Sequence, residues 1–293
     1  MTRSTILAAA AASVTLGVAS ASSAELIYGL TTQNSVVVFD SAAPTVALDG
    51  GKITGLTATE DIEAIDYRPA TGQVYLLSDE RNVYTFDVDT FDASLVGQFS
   101  PRIPGTSFAF DFNPAFMGGE FARIITDTND NRVISGETGQ YLDPVEKTDV
   151  FYASGDANEG EDPNITGIAY TNSVAGATST QQYGIDSDLG VLVTVANNAG
   201  TLNTVGSLGI TGPITNEQGL DISGQTGVAY ANIQSGPNSL LYTVDLSTGT
   251  ASLVGTIGSG DLIRDLTVVP VPEPTTLALA GLAGLGLLRR RRA

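Results

Sequence analysis

Carboxylates at recurring positions are the residues of this chain best placed for chemistry. Asp66, Asp111, Asp221 and Asp265 stand at the centre of four triplets, Ile65-Asp66-Tyr67, Phe110-Asp111-Phe112, Leu220-Asp221-Ile222 and Arg264-Asp265-Leu266. A fifth triplet, Ile168-Ala169-Tyr170, carries Ala169 there instead. If these triplets are neighbouring strands, their carboxylates converge and repel. Protons, a cation such as calcium or hydrogen-bond donors must then compensate them. The residues also suit a second role, in which each Asp accepts a backbone amide from the adjacent strand.

Two loops add oxygen ligands. Asp156-Ala157-Asn158-Glu159-Gly160-Glu161-Asp162 alternates oxygen donors around a glycine. Asp156, Asn158 and Asp162 are therefore expected either to hold calcium or to shape a solvated turn. Asp127-Thr128-Asn129-Asp130-Asn131 starts like a calcium loop, but Arg132 stands at the turn glycine and Thr138 at the closing glutamate. Paired carboxylates could also hydrolyse a polysaccharide, which needs two of them roughly 5–10 Å apart. With so many acids in the chain such a pair arises by chance, and no catalytic residue is assigned.

Composition removes other chemistries. The 293 residues contain no His, no Cys and no Trp. Histidine general bases, thiolate nucleophiles, disulfides and nearly all zinc sites are absent with them. Tyr and Phe would have to serve as any sugar-stacking platform. Acids outnumber bases 32 to 13, for a net charge of −19. Residues 25–272 alone hold 31 acids and 8 bases. That body repels nucleic acid and anionic membrane surfaces.

The elements that must position these carboxylates are short strands. β-Branched and aromatic runs alternate with Gly, Asn, Asp and Thr-Gly turns, and no long helical period appears in the body. Val83-Tyr84-Thr85-Phe86-Asp87 returns as Leu241-Tyr242-Thr243-Val244-Asp245, and Ala93-Ser94-Leu95-Val96-Gly97 as Ala251-Ser252-Leu253-Val254-Gly255. The five triplets follow one another at spacings of 45, 58, 52 and 44 residues. Such periods, with about four strands each, predict an all-β propeller of five blades. The first segment, 26–48, has strands but no triplet, and the last triplet has no unit after it. Joining them would close one blade from both chain ends and remove exposed edges. A β-sandwich or a differently counted propeller is the alternative.

Both ends read as addresses. Arg3, an apolar run and small residues through Ala24 form a secretory signal peptide over 1–24, with cleavage expected between Ala24 and Glu25. The alternative exit is Ala19-Ser20-Ala21. At the other end Val271-Pro272-Glu273-Pro274 precedes an apolar segment, 275–288, and then Arg289-Arg290-Arg291-Arg292-Ala293. As a helix the apolar segment would span roughly 21 Å, short of a hydrocarbon core of about 30 Å. It is expected to be a temporary transmembrane helix with its arginines on the cytoplasmic side. The chain thus divides into 1–24, a repeat body 25–269 and a tail 270–293, with 270–274 as linker and motif and 289–293 as the basic end.

These tail residues resemble the PEP-CTERM sorting signal of Gram-negative bacteria. The resemblance implies processing by an exosortase, a membrane protease-transpeptidase, and an association with exopolysaccharide and biofilm. The body resembles the domain-of-unknown-function family 4394 through residues 26–30, Ile65-Asp66-Tyr67-Arg68-Pro69-Ala70-Thr71-Gly72, residues 110–114, 155–158 and 169–172. That family brings no catalytic residues. The combined expectation is an exported protein, tethered briefly at the inner membrane. Its final site is the cell surface, outer membrane or extracellular space, and its propeller binds or builds without catalysis. Exopolysaccharide or surface proteins are the expected partners. The alternative is a secreted carboxylate-dependent polysaccharide hydrolase or lyase, assisted by calcium.

Overall fold

The computed structural model describes residues 24–270 apart from 58, 143–147 and 259. Its strands group into five sheets. Blade 1 contains β1 (Leu26–Thr31), β2 (Ser35–Asp40) and β3 (Ala47–Lys52), and blade 2 contains β4 (Ile62–Arg68), β5 (Gln73–Ser78), β6 (Asn82–Asp87) and β7 (Asp92–Gln98). Blade 3 has β8 (Phe108–Phe112), β9 (Phe121–Thr126) and β10 (Asn131–Ser135). Next in the chain come β11 (Phe151–Tyr152), β12 (Ile165–Tyr170), β13 (Gln182–Asp186), β14 (Val191–Val195) and β15 (Thr201–Ser207), all in blade 4. Blade 5 is β16 (Gly219–Ile222), β17 (Ala229–Ser235), β18 (Asn238–Val244) and β19 (Ala251–Thr256). The last strand, β20 (Ile263–Val269), returns to blade 1 and pairs antiparallel with β1, matching Leu26 to Val269. The fold is a five-bladed propeller closed by the first and last of the described strands.

The wide spacing between the second and third triplets has a structural cause. Among the described residues blade 3 has three strands, and the chain after it runs on to β11, which joins the outer edge of blade 4 in parallel with β15. Tyr141 still bridges back to Ile134 at the edge of blade 3, and β11 then extends the neighbouring blade.

Burial follows position in the blade. The inner strand β12 and the second strand β9 are buried along their whole length. Both faces of such strands pack against adjacent blades, so their sequences, ITGIAY and FARIIT, lack a clean polar alternation. The outer strands β3, β7 and β19 are largely exposed. Each seam between blades has its own apolar cluster. Leu76 and Tyr84 meet Leu30 and Val36 at one seam, and Phe112 and Ile124 meet Leu77 and Val83 at the next. A fully buried side chain of this size contributes about 1.5–3 kcal/mol.

The repeated sequences occupy equivalent places. The copies 83–87 and 241–245 lie on third strands, β6 ending at Asp87 and β18 at Val244 just before Asp245, and the two carboxylates accept turn amides from Asp89 and Thr90 and from Ser247. The copies 93–97 and 251–255 are outer strands with a bulge at the same register, where Val83 pairs Gly97 and Leu241 pairs Gly255. Gly97 is needed because the next blade's backbone passes it: a Cβ there would stand 2.1 Å from the Thr138 carbonyl oxygen.

The chain start is fastened independently of β20. Glu25 is 3% exposed. Its amide donates to Ser41 Oγ at 3.0 Å, and its carboxylate accepts from Tyr230 at 2.9 Å, Thr226 at 3.0 Å and the Ser223 hydroxyl. Sequence reasoning marked this residue only as a cleavage boundary. In the fold it ties the entry of β1 to blade 5. The expected signal peptide up to residue 23, the Val271–Pro274 motif, the apolar segment and the arginine cluster lie outside the described residues, whereas Ala24 and Glu25, which flank the expected cleavage, lie within them. No helix among the described residues is long and apolar enough to cross a membrane.

Gly97→Ala is expected to cost about 1–3 kcal/mol through overpacking at the blade 2–blade 3 seam. Urea unfolding of the exported body would register it as a lower midpoint with unchanged slope.

Candidate functional site at the propeller axis

The five inner strands β20, β4, β8, β12 and β16 surround the axis, and side chains at matched positions form layers. One layer consists of Thr267, Asp66, Asp111, Ala169 and Asp221, matched by a repeated hydrogen bond from blade to blade. Asp66 Oδ2 accepts the Phe112 amide at 2.8 Å, and Asp221 Oδ2 accepts the Val268 amide at 2.6 Å. Asp111 accepts the Tyr170 amide. Thr267 Oγ1 accepts the Tyr67 amide at 3.0 Å. Each acceptor reaches the residue just after the matching position of the following blade. Ala169, which has no acceptor, leaves the step from blade 4 to blade 5 without such a clip.

This register corrects one sequence expectation. Asp265 does not share the layer of the other three aspartates. Thr267 stands there, and Asp265 lies two residues earlier, roughly 7 Å along the strand. It repeats the clip at its own level, accepting the Ile65 amide at 2.9 Å and the Leu266 amide at 2.8 Å. The matched positions on the other inner strands are Ala64, Ala109, Gly167 and Gly219, all small. Gly219 admits the carboxylate directly, since a Cβ there would meet Asp265 Oδ1 at 2.0 Å. The sequence signal for Thr267 was the alternation Leu266-Thr267-Val268, which matches Leu220-Asp221-Ile222 in pattern but not in charge.

Asp66, Asp111 and Asp221 offer carboxylate oxygens that all lie within 4.8 Å of one another, and all three residues are buried. Thr267 Oγ1 lies 2.9 Å from Asp221 Oδ2 and 3.2 Å from Asp66 Oδ1, so its single proton bridges toward both. Burial pushes the Asp66 carboxyl well above its ordinary range, and the charge of Asp221 adds to it against the amides of Phe112 and Tyr67. Burial raises Asp111 likewise, reinforced by Asp66 and Asp221. Asp221 is pushed up to about 6, burial outweighing its bonds from Val268, Thr267 and Ile222. Burial also raises Asp265 well above the usual range. Three carboxylates in this space cannot all be ionised alone. Shared protons or a cation of the calcium type complete them, and the oxygen-only donor set fits a hard cation.

Toward the strand starts, Arg264 donates to Glu217 at 2.8 Å and to Glu63 at 2.9 Å. Burial lifts the Glu63 carboxyl to about 7, with Glu217 adding and Arg264 opposing. Neither glutamate was singled out in the sequence, because nothing in its local spacing marks it.

The loop residues do not converge. Asp156 accepts from Thr204 through both its amide and its hydroxyl, at 2.7 Å each, and Asn158 donates to the same hydroxyl. Asp162 accepts from Asn129 Nδ2 at 2.7 Å instead. Asp156 and Asn158 therefore pin their loop to β15, while Asp162 ties it to the β9–β10 turn. In that turn Asp127 accepts from the Thr106 amide and hydroxyl.

The raised carboxyls set the sign of a pH dependence. An acid whose folded pKa lies above its unfolded value binds more protons in the fold, so stability falls as pH rises between the two values. For Asp221 that window runs from about 4 to about 6, and Glu63 extends it to about 7. The melting temperature is expected to be higher at pH 5 than at pH 8. Asp66→Asn should flatten that difference and stabilise the protein at pH 8. Calorimetry across this range checks both. A calcium titration at pH 8 distinguishes the two compensations: a rise in melting temperature abolished by Asp111→Asn identifies a cation, and no rise identifies protons.

The sequence profile of the domain of unknown function DUF4394 matches residues 35–267, and that of the PEP-CTERM protein-sorting motif matches residues 270–292. No curated protein is similar in sequence. Among solved structures, a chain of a nidogen/laminin complex is similar at 11% identity with a TM-score of 0.47. The likeness covers 85% of this chain and 99% of that one.

Proposed function

The chain belongs to the DUF4394 family and ends in a PEP-CTERM sorting motif, and from that premise we propose that its propeller is a non-enzymatic binding or structural module of the cell surface or extracellular matrix. The motif makes the chain an exported substrate of an exosortase-type membrane protease. One observation carries the rest of the reading: the acids that recur in the sequence are used inside the fold. Asp66, Asp111 and Asp221 are buried and accept backbone amides of adjacent blades, so their chemistry holds the ring together. A polymer substrate has no access to carboxylates so placed. The loops and outer strands are left to meet partners, with exopolysaccharide and surface proteins as the partner classes.

The address regions complete the proposal. A signal peptide over 1–24 is removed, the tail 270–293 holds the body transiently at the inner membrane, and cleavage near Pro274 releases or transfers it. Because β20 ends at Val269, such a cut leaves the closed ring intact. Calcium at the axial aspartates belongs to the same proposal as a structural ion. A second reading, a carboxylate-dependent polysaccharide hydrolase or lyase, draws on Glu63 and Glu217 gripping one guanidinium, with Glu63 poised near neutrality.

Intact mass of the protein from its native host should show a chain beginning at Glu25 and ending near Pro274; retention of either end overturns the processing scheme. Incubation with neutral and acidic polysaccharides should release no product. Turnover abolished by Glu63→Gln or Glu217→Gln would establish the enzymatic reading in its place.

A further inference from the structure

A recess over blades 3 and 4 differs in chemistry from the acidic body around it. It encloses about 170 Å³. Asn113 and Phe116 come from the β8–β9 connection, Arg123 from β9, Tyr170 from the end of β12, and Asn197 and Asn198 from the β14–β15 connection. No acid lines it. A second recess shares Arg123 and Asn198 and adds Arg132.

Arg123 is the centre of this site. It is 5% exposed. Its Nε donates to the Tyr170 hydroxyl at 3.1 Å, Nη1 to Asn131 Oδ1 and Nη2 to Asn198 Oδ1 at 2.7 Å. All three partners are neutral. Among the described residues no carboxylate forms an ion pair with it. Arg68 and Arg264, also on the inner faces, have theirs in Glu137 and in Glu63 and Glu217. A buried guanidinium without a contacting counter-charge is unfavourable, and Asp111, which stands opposite Arg123 on β8, makes no ion pair with it. These bonds use three of its five N–H groups and leave one on each Nη, and a guanidinium is suited to grip a carboxylate.

The surroundings describe the rest of the ligand. Tyr170 is held by Asn197 Oδ1 at 2.7 Å, so Arg123 is positioned by a connected network rather than by one contact. Asn198 is exposed and turns its oxygen to Arg123, which leaves its amide nitrogen to donate to a hydroxyl. Phe116 is 36% exposed and packs on Phe121 with ring centroids 5.6 Å apart, presenting an apolar face. The recess has room for one small ring. The strongly negative body disfavours a polyanion over a single carboxylate.

We propose that this recess binds a small hydroxylated monocarboxylate of the uronic-acid class, with its carboxylate on the Arg123 fork and its ring against Phe116. The inference deepens the binding reading above and rests on it. Isothermal titration of the exported protein with D-glucuronate, D-glucose, acetate and inorganic phosphate tests it. Glucuronate should bind saturably and about tenfold or more tighter than the other three. Arg123→Gln should weaken it about tenfold or more, as expected for loss of a charged hydrogen-bonded pair. Phe116→Ala and Asn198→Ala, at exposed positions, should weaken it severalfold; the first should leave the melting temperature in place, and the second should lower it slightly through loss of the Arg123 Nη2 acceptor. They decide the matter if Arg123→Gln fails to fold. Absence of saturable glucuronate binding, equal binding of glucose, preference for phosphate, or indifference to the exposed variants overturns the site. Polysaccharide retention that survives Phe116→Ala and Asn198→Ala also overturns this site but leaves the surface-binding reading standing, whereas polysaccharide turnover overturns that reading itself.

Discussion

Side-chain oxygens reaching backbone amides of the next blade are the contact on which the propeller depends. Apolar packing between blades is extensive but non-directional, and alone it would tolerate sliding of one sheet past another. The bonds from Asp66, Asp111, Asp221 and Thr267 fix the rotation and height of each inner strand relative to its neighbour. They do so at the axis, where five strands present amides that adjacent blades leave unpaired. Buried amides of this kind need acceptors, and a short carboxylate supplies them without filling the narrow centre.

That solution creates its own electrostatic load. Three acids within hydrogen-bonding distance of one centre, plus Asp265 one level away, are more negative than a buried space supports. The chain relieves it in two ways at the positions themselves. Thr267 stands where a fourth Asp in the layer would have crowded the others, and Ala169 removes a fifth. The small residues Ala64, Ala109, Gly167 and Gly219 open the next level for Asp265 alone. Mechanical fastening and charge are thus balanced layer by layer, and little of that chemistry faces outward.

Much of the architecture was legible because repetition is visible without structure. The matched runs 83–87 and 241–245 lie on third strands with Asx turns, and the paired Val-Gly endings are bulges, Gly97 beside the Thr138 backbone and Gly255 beside the Pro44 ring. Closure of blade 1 by β20 followed from counting units at each end. Less legible were features that depend on register across 200 residues. Asp265 drew attention by charge, whereas the position equivalent to Asp221 is Thr267, identifiable only from which amide it accepts. Glu25, Arg123 and the Glu63–Arg264–Glu217 cluster have no local pattern. Their significance comes from partners on other blades. The Asp156 loop fails to gather its oxygens because Thr204 and Asn129, neither of them nearby in sequence, pull them apart.

The return of β20 to blade 1 imposes an order on events. The inner ring lacks its fifth member until residues 263–269 have emerged, and until then the edge of β1 is unpaired. An exported chain is threaded from its first residue onward, so blades 2 to 5 are complete in sequence before the first blade is. A chain interrupted anywhere before that strand therefore keeps an open edge, the kind of surface that recruits other strands or proteases. With the sorting sequence beginning immediately after β20, closure of the ring coincides with arrival of the signal that a membrane protease reads. Completion of the fold and appearance of the sorting sequence are thus neighbouring events along the chain, set by which strand it places last.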